Sequence, residues 1–341
     1  MRCSAVASAH VIERLRGDGA RYDVLGIGNA LVDVIAHVDD AFLDGHGMVK
    51  GWMDLIDTDR AVAIYQALGS AVEMSGGSAA NTVVGVSSLG GRGAYVGKVT
   101  NDELGKVFAH DLNAVGVQFH AGGRDNEVPT GRCLICVTPD AERTMNTYLG
   151  ASSALAVDDV DFDAVASATV LYMEGYLFDR DEAKAAFREA ARAAHAAGRV
   201  VALTLSDSFC VERHRDDFLN LVADQVDVLF ANESELNALY QTDMLEVAIA
   251  EARQHSPLVA CTAGARGSLV ATPDQVISSP AVPVRRVVDT TGAGDLYAAG
   301  FMYGLTSGQS LASCAQIGAI AAAEVISHVG PRPLVDLRTL I

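Results

Sequence analysis

The fold prediction starts from DTTGAGD at residues 289–295, which runs directly into LYAAGF at residues 296–301. Gly292 and Gly294 stand between hydroxyl side chains and a carboxylate, and the alanine-rich run that follows favours helix. The pattern therefore predicts a tight turn that opens a helix. The first backbone N–H groups of a helix have no partner within it, and the helix dipole attracts an anion to them. Glycine also lets the backbone approach a phosphate group because no Cβ stands in the way.

Asp295 ends this segment, and its carboxylate needs an explanation because it would repel an anion bound beside it. One explanation is a general base, which takes a proton from a hydroxyl while the backbone holds the group under attack. The other explanation is local, because Asp is favoured at the start of helices in general. The segment by itself leaves both explanations open.

Length and charge limit the function classes. The chain has 341 residues, half of them hydrophobic, which is enough for one large domain or one domain with an appendage. Its net charge of −18 argues against a nucleic-acid partner or an anionic membrane surface. The most apolar long run, residues 311–326, is interrupted by Gln316 and Glu324, so no membrane span is predicted. A phosphate-handling site would have to concentrate positive potential locally.

The six cysteines are scattered and lie mostly in apolar runs, which predicts reduced thiols in a cytoplasmic protein. Cys133 and Cys136 have CxxC spacing, but a strand would point them to opposite faces, which argues against a metal or redox pair. Residues 1–21 carry several charges and lack an apolar segment. They are predicted to be a loose tail rather than a secretory signal.

Apolar strand patterns alternate with helix patterns along most of the chain, which predicts an α/β fold with a mostly parallel central sheet covered by helices on both faces. Two stretches, residues 34–57 and 121–148, look β-like instead, and the second contains a hairpin pattern at 132–138 and 142–148. We therefore expect a small β-sheet lid beside a large domain. The large domain is assigned to residues 22–33, 58–120 and 149–341.

Polar and glycine residues follow the first predicted strand and open an early helix. Asn29 and Asp33 come just past the apolar run of residues 22–34, where ligands gather in open α/β sheets, although a capped turn would give the same pattern. Gly76 and Gly77 precede a small-residue helix that carries Asn81. Paired glycines at that place indicate close approach of either a ligand or another helix.

Two later segments have both a functional and a local interpretation. Asn232 and Glu235 share one helix face at the end of a strand, where they could reach Mg²⁺ through water or simply form a capping box. Thr262, Gly264 and Gly267 follow another strand, where they could cradle a nucleotide phosphate or form a plain hairpin turn.

Taken in order, these motifs resemble those of the ribokinase-like (PfkB) carbohydrate kinase family over residues 22–333. GGSAAN at 76–81 is similar to its N-terminal signature, DTTGAGD at 289–295 to its C-terminal signature, and NESE at 232–235 to its N-x-x-E motif. GIGNALVD at 26–33 resembles the opening strand of the adenosine kinase branch. The resemblance implies a ribokinase-like fold and ATP-dependent phosphorylation of the ribose 5′-hydroxyl of a nucleoside, with conversion of adenosine to AMP favoured.

The resemblance also implies roles for the substrate residues. Asp295 would be the base on the 5′-hydroxyl, and the backbone of Gly292, Ala293 and Gly294 would form an anion hole. Asp33 would hold the ribose 2′- and 3′-hydroxyls. The remaining residues expected at the substrate are Asn29, Gly76, Gly77, Asn81 and Tyr176.

For the cofactors, the resemblance implies ATP and Mg²⁺, and it raises the question of K⁺. Asn232 and Glu235 would organise Mg²⁺ through water. Asn232, Thr262, Gly264 and Gly267 would line the ATP site. Asp289 and Thr291, with the loop 327–330, resemble the family's monovalent-cation loop.

Several alternatives remain open at this point. The acceptor could be ribose, fructose, inosine or guanosine, although apolar residues favour a base over a bare sugar; those residues are Trp52, Met53, Cys133, Tyr176 and Phe178. A catalytically silent nucleoside sensor is a third reading. A dinucleotide-binding dehydrogenase is disfavoured because Gly26-x-Gly28 lacks the third glycine of that fingerprint. The partner is expected to be a small molecule, and the sequence leaves monomer and homodimer both open.

Overall fold

The computed structural model describes residues 11, 13–15, 19–122, 128–140 and 142–341. The strands are β1 Tyr22–Ile27, β2 Leu31–His37, β3 Met53–Leu55, β4 Ala71–Gly76, β5 Gly93–Lys98, β6 Gln118–Gly122, β7 Gly131–Val137, β8 Arg143–Tyr148, β9 Ala168–Glu174, β10 Val200–Thr204, β11 Val228–Asn232, β12 Leu258–Thr262, β13 Ser268–Ala271 and β14 Val276–Ser279. The helices are α1 Asp40–Gly45, α2 Thr58–Ala67, α3 Ser78–Ser88, α4 Glu103–Ala114, α5 Phe162–Ala166, α6 Asp181–Ala196, α7 Ser208–Arg213, α8 Arg215–Gln225, α9 Glu233–Tyr240, α10 Leu245–His255, α11 Ala293–Thr306 and α12 Leu311–Val325.

A nine-stranded sheet forms the body, in the order β14-β13-β12-β11-β10-β9-β1-β5-β6. Neighbouring strands in the row β6-β5-β1-β9-β10-β11-β12 pair in parallel, and β13 and β14 add an antiparallel edge. Successive residues of β1 alternate between two hydrophobic cores, with Val24 in one and Leu25 in the other. Both faces of the sheet are therefore buried under helices, and the predicted α/β class is confirmed.

A second, five-stranded mixed sheet has the order β3-β8-β7-β2-β4. The predicted hairpin is present, because β7 pairs antiparallel with β8. The boundaries of this sheet differ from the expected 34–57 and 121–148. It already begins at Leu31, and it recruits β4 and the covering helix α2 from residues that we assigned to the large domain. The segment 34–57 also contains the helix α1, which its glycine-rich sequence did not indicate.

The predicted single strand over residues 22–34 is two strands in two different sheets. The chain leaves the large sheet after Ile27 and enters the small sheet at Leu31. A Cβ added at Gly28 would come within 2.4 Å of a Glu174 carboxylate oxygen, so only glycine fits at this crossing. Asp33 consequently belongs to the small sheet and not to the end of a strand in the large one.

Part of the predicted loose tail is packed. Val11 and Leu15 are buried in the main hydrophobic core, and Arg14 pairs with Asp227 on the large domain. Residues 1–10 lie outside the described residues. The Asp102 carboxylate caps α4, because it accepts the Gly105 N–H at 2.8 Å. Within the described ranges, no helix combines the length and apolar composition that crossing a membrane requires.

Candidate active site

Two helix starts meet at the Asp295 carboxylate. Asp295 lies in the first turn of α11, and one of its oxygens accepts the Ser78 hydroxyl at 2.6 Å. The other accepts the Asn81 side-chain amide at 3.1 Å. Burial raises the pKa of Asp295 to about 6, and the bonds from Ser78 and Asn81, with the charge of Arg332, limit the rise. A carboxylate held this way can accept a proton near neutral pH.

The turn before Asp295 has the predicted glycine geometry. Gly292 takes a left-handed φ of 79°, and a Cβ added there would lie 2.7 Å from the Pro331 Cα. The Gly294 Cα faces open space, with nothing within 4 Å of an added Cβ. Among the described residues, the backbone N–H groups of Gly294 and Asp295 have no backbone acceptor. This end of α11 therefore presents unpaired donors to an open region.

Asp33 faces the same region from the small sheet. It is 7% exposed, and its carboxylate has no hydrogen-bond donor within the described chain. Burial raises its pKa to about 6, although the charges of Arg332 and Arg143 oppose the rise. A Cβ on Gly76, in the neighbouring strand β4, would lie 2.5 Å from all three carboxyl atoms of Asp33. Gly76 thus makes room for this side chain, whereas a Cβ on Gly77 would meet the Asn29 carbonyl oxygen at 2.2 Å.

Glu174, at the end of β9, is a buried carboxylate that the sequence analysis did not identify. One oxygen accepts the backbone N–H and the side-chain amide of Asn29, at 3.2 and 3.0 Å. The other accepts the Ala79 N–H at 2.8 Å, in the first turn of α3. Burial raises its pKa to about 7. Asn29 is therefore in the predicted region, but its amide is directed toward Glu174, and its carbonyl oxygen accepts the Ser152 hydroxyl at 3.0 Å.

Arg332 is a second residue that the sequence analysis missed. Its Nε donates to the Asn81 carbonyl oxygen at 2.8 Å, and its Nη2 donates to the Ser75 backbone carbonyl at 2.7 Å. The residue is 9% exposed, and burial lowers its pKa against the opposing charges of Asp111, Asp33 and Asp295. Its sequence context, between Pro331 and Pro333, gave no indication of a site.

A second cationic side chain joins the small sheet to the C-terminal motif. Arg143 of β8 forms a buried ion pair with Asp289, and it also donates to the Thr291 hydroxyl at 3.2 Å. Asp289 further accepts the Thr291 N–H at 3.0 Å and the Gly330 N–H at 2.9 Å. Burial raises the pKa of Asp289, but these bonds and Arg143 outweigh burial and leave the pKa below its ordinary value. Within the described residues, two nitrogens of Arg143, Nε and Nη2, are buried without an acceptor.

Comparison with known proteins identifies the family to which this site belongs. The profile described as pfkB family carbohydrate kinase matches residues 52–337, which include both glycine motifs and the helix start at Asp295. The chain belongs to the pfkB family of carbohydrate kinases. It is therefore a phosphotransferase, and kinases of this family use ATP with Mg²⁺.

Solved and curated relatives of this pfkB-family kinase act on nucleosides or sugars. The crystal structure of an adenosine kinase from Sinorhizobium meliloti is 52% identical, with a TM-score of 0.86 over 94% of this chain and 98% of that one. A probable sugar kinase from Rhizobium etli is 46% identical, with a TM-score of 0.87 and the same coverage. Adenosine kinase 2 of Arabidopsis thaliana is 27% identical over 91% of this chain and 96% of its own length. The chain is thus a nucleoside or sugar kinase with the ribokinase-like fold.

The kinase has an open cleft beside the N-x-x-E motif. Its volume is about 460 Å³, and its lining residues include Asn232, Thr262 and Gly264. Gly264 has a positive φ of 57° and open space before it, whereas a Cβ on Gly267 would meet the Ser279 carbonyl at 2.1 Å. Three of the four residues predicted at ATP therefore line one cleft, and Gly267 supports the turn behind it.

The pair Asn232 and Glu235 forms the capping box that was the local alternative. The Asn232 oxygen accepts the Glu235 N–H at 2.9 Å, and Glu235 accepts the backbone and side-chain nitrogens of Asn232 at 2.9 and 2.6 Å. Burial raises the pKa of Glu235 to about 7, with added repulsion from Asp207 and Asp295. The described residues contain no direct cluster of metal ligands. A carboxylate and an amide oxygen nevertheless suit Mg²⁺ held through water, and among the described residues no cationic side chain opposes the raised pKa of Glu235.

Of the apolar residues that were predicted to favour a nucleoside base, four are near the small sheet or the end of β9, and one lies in the large-domain core. Cys133 lies beside Asp33 in the small sheet, and Trp52 and Met53 are exposed near the edge strand β3. Tyr176 is 37% exposed just after β9. Phe178 does not belong to the site, because it is buried in the large-domain core and stacks on Phe218. Cys133 and Cys136 point to opposite faces of β7, as predicted, and join different hydrophobic clusters.

Proposed function

We propose that this kinase transfers the γ-phosphoryl group of ATP to the 5′-hydroxyl of a nucleoside, with adenosine as the favoured acceptor. One observation carries the proposal. Asp295 stands at the open start of α11 beside unpaired backbone donors, and Asp33 faces it from the small sheet with a carboxylate that receives no hydrogen bond from the described residues. This combination fits a reacting hydroxyl at one end of a sugar and a diol at the other.

Asp295 is proposed as the general base. Its hydrogen bonds from Ser78 and Asn81 fix both oxygens, so a lone pair can be directed at the 5′-hydroxyl. The backbone N–H groups of Gly292, Gly294 and Asp295 are proposed to stabilise charge on the transferring phosphoryl group. The Ala293 N–H, which was also predicted for this role, instead donates to the Thr290 carbonyl at 3.2 Å. Mg²⁺, bound with ATP, would supply further neutralisation of phosphate charge. Asp295 then holds the proton taken from the hydroxyl.

Asp33 is proposed to hold the ribose 2′- and 3′-hydroxyls. A carboxylate offers two acceptor oxygens, which match two neighbouring hydroxyl donors, and hydrogen bonds to charged groups contribute about 1.5–3 kcal/mol each. Gly76 and Gly77 are proposed to act at the substrate by leaving space for the Asp33 carboxyl group and for the Asn29 backbone, respectively. Asn81 is proposed to contact the sugar from α3. Asn29 is proposed to act indirectly at the substrate, because its backbone N–H and its side-chain amide both donate to Glu174.

An apolar surface next to Asp33 favours a nucleoside over a bare sugar. The strand register places Cys133 beside Asp33, and Ile35, Ile135 and Met145 continue the same face of the small sheet in one hydrophobic cluster. A purine ring can cover such a surface, whereas a free sugar presents hydroxyls that it would leave unpaired. Tyr176 is proposed to pack against the base from the large domain.

The cofactor residues are proposed from the cleft geometry. Asn232, Thr262 and Gly264 would contact ATP, and Gly267 would shape the turn that receives it. Asn232 and Glu235 would hold Mg²⁺ through water. Asp289 and Thr291, with the 327–330 loop, are proposed for K⁺ on the resemblance alone, because the Asp289 carboxylate is already paired with Arg143.

The test measures binding and turnover separately. A thermal-shift screen of adenosine, inosine, guanosine, ribose and fructose is followed by a coupled kinase assay with ATP and Mg²⁺. We expect adenosine to give the largest shift and the highest kcat/KM. Asp295→Asn should retain the thermal shift with adenosine and lower kcat at least about 10²-fold. Full turnover in that variant would refute the base assignment.

A sugar kinase is the second candidate. The similarity to the probable sugar kinase of Rhizobium etli supports it, and Asp33 would suit any vicinal diol. Higher kcat/KM for ribose or fructose than for every nucleoside would establish this alternative.

A further inference from the structure

We infer that Arg332 is a positioning residue for the proposed reaction, because it fixes the side-chain orientation of Asn81 and thereby the alignment of Asp295. The inference rests on the proposed function of Asp295. None of the motifs includes Arg332, and it lies 37 residues beyond Asp295 in the chain.

The orientation argument follows from donor and acceptor chemistry. An arginine side chain carries only donors, so the Nε bond at 2.8 Å requires the carbonyl oxygen of Asn81 on that side. The amide nitrogen of Asn81 must then point the other way, where the Asp295 oxygen accepts it at 3.1 Å. Without Arg332, the amide could turn over and present its oxygen to the Asp295 carboxylate, which would be repulsive.

Arg332 is itself held from behind. Its Nη2 donates to both the carbonyl and the hydroxyl oxygen of Ser75, at 2.7 and 3.0 Å. Ser75 in turn donates its N–H and its hydroxyl to the Asp111 carboxylate, at 2.8 and 2.6 Å. A continuous hydrogen-bonded chain therefore runs from Asp111 in α4 through Ser75, Arg332 and Asn81 to Asp295.

The same segment also shapes the anion-binding turn. Pro331, the residue before Arg332, lies so close to Gly292 that an added Cβ would come within 2.7 Å of its Cα. The short segment after α12 thus packs on the glycine turn through Pro331, and its Arg332 guanidinium group lies next to Asn81, which holds the Asp295 carboxylate. This placement couples the position of the donors to the position of the carboxylate.

The charge of Arg332 has a separate effect from its hydrogen bonds. The charge of Arg332 limits the rise in the pKa of Asp295. Arg332 and Arg143 both limit the rise in the pKa of Asp33, and Arg332 has the larger effect. The other ionisable groups whose pKa responds to Asp295, and so face it from the neighbouring elements, are Asp33, Tyr172, Glu174, Tyr176 and Glu235. Removing Arg332 would take the counter-charge from Asp295 and leave Arg143 alone to oppose the raised pKa of Asp33.

The experiment compares Arg332→Lys, Arg332→Gln and Arg332→Met with the unaltered protein, using kcat, KM and the pH dependence of kcat/KM. Loss of charge in the Gln and Met variants should raise the pKa of Asp295. The acid limb of the pH profile of kcat/KM should therefore move upward by about one pH unit. The Lys variant should keep the limb in place, but kcat should fall about tenfold or more because Asn81 loses its fork-shaped partner.

Arg132→Met is the matched control, because Arg132 is buried to the same degree and its guanidinium lies over Tyr65 and Tyr148 instead of at the site. It should lower the melting temperature without moving the acid limb. An acid limb unchanged in all Arg332 variants overturns the inference. So does loss of folding in all three while Arg132→Met folds. If the unaltered protein phosphorylates neither nucleosides nor sugars, the proposed function fails instead.

Discussion

Replacing Gly76 with alanine should displace the Asp33 carboxylate while leaving the fold intact. The added Cβ would lie 2.5 Å from the carboxyl carbon and both oxygens, whereas ordinary contacts between carbon atoms begin near ~3.5 Å. The carboxyl group must therefore move by about 1 Å. It is the free end of a side chain without protein donors, so the movement costs little stability. The two hydrogen bonds proposed to the ribose diol would weaken together.

The expected loss can be estimated from those bonds. Weakening two hydrogen bonds to a charged group by half of about 1.5–3 kcal/mol each gives about 1.5–3 kcal/mol, or roughly a 10- to 100-fold rise in KM for the nucleoside. The KM for ATP should change much less, because neither Gly76 nor Asp33 is among the residues that line the proposed ATP cleft. A steady-state kinase assay that varies each substrate separately measures both effects.

Gly69→Ala supplies the control, since nothing lies within 4 Å of a Cβ added at this exposed glycine in the loop before β4. It should leave both KM values within about twofold. If Gly76→Ala binds the nucleoside as tightly as the unaltered protein and melts at the same temperature, then Asp33 does not hold the ribose hydroxyls. If both KM values rise equally, the substitution has disturbed the sheet and not one carboxylate.

Two further predictions concern the buried acids. Glu174→Gln should cost about 1–3 kcal/mol in urea unfolding, because its amide nitrogen would face an N–H of Asn29 or Ala79, whereas exposed Glu182→Gln should stay within about 0.5 kcal/mol. The ligand-free protein should melt at a higher temperature at pH 6 than at pH 8. The native state binds extra protons in this window, because burial raises the pKa of four carboxyl groups, so stability falls as pH rises through it; those groups are Asp33, Asp295, Glu174 and Glu235. A flat melting profile would show that these pKa values are not raised.

Local patterns predicted the large sheet well. Continuous apolar strands alternating with helices require a mostly parallel sheet that is covered on both faces, and β9 through β12 have that arrangement. The small sheet was harder to delimit. The switch from one sheet to the other occurs over Gly28 to Ala30, and it is decided by Glu174, which lies about 145 residues away in the chain. No pattern within residues 22–34 contains that information.

The site was predictable where its chemistry is local. The turn at Gly292, the carboxylate at Asp295 and the glycines before Asn81 each have a short-range signature, because a positive φ or a helix start limits the residue type. Arg332 and Glu174 have no such signature. Each owes its position to contacts across at least 95 residues of chain, and a buried charged residue cannot be distinguished from a surface one by its neighbours in sequence.

The charge distribution gives a physical reason why an acidic protein can still bind a polyphosphate. Four carboxyl groups at the site have raised pKa values, and the two buried cations beside them, Arg143 and Arg332, are partly engaged by Asp289 and by Asn81 with Ser75. Within the described residues, Nε and Nη2 of Arg143 still lack an acceptor. An approaching phosphate therefore meets little free cationic charge, and its own cation and the backbone donors at Gly294 and Asp295, which carry partial positive charge without titrating, supply the rest. Affinity for ATP should accordingly depend far more on Mg²⁺ than on any single surface lysine.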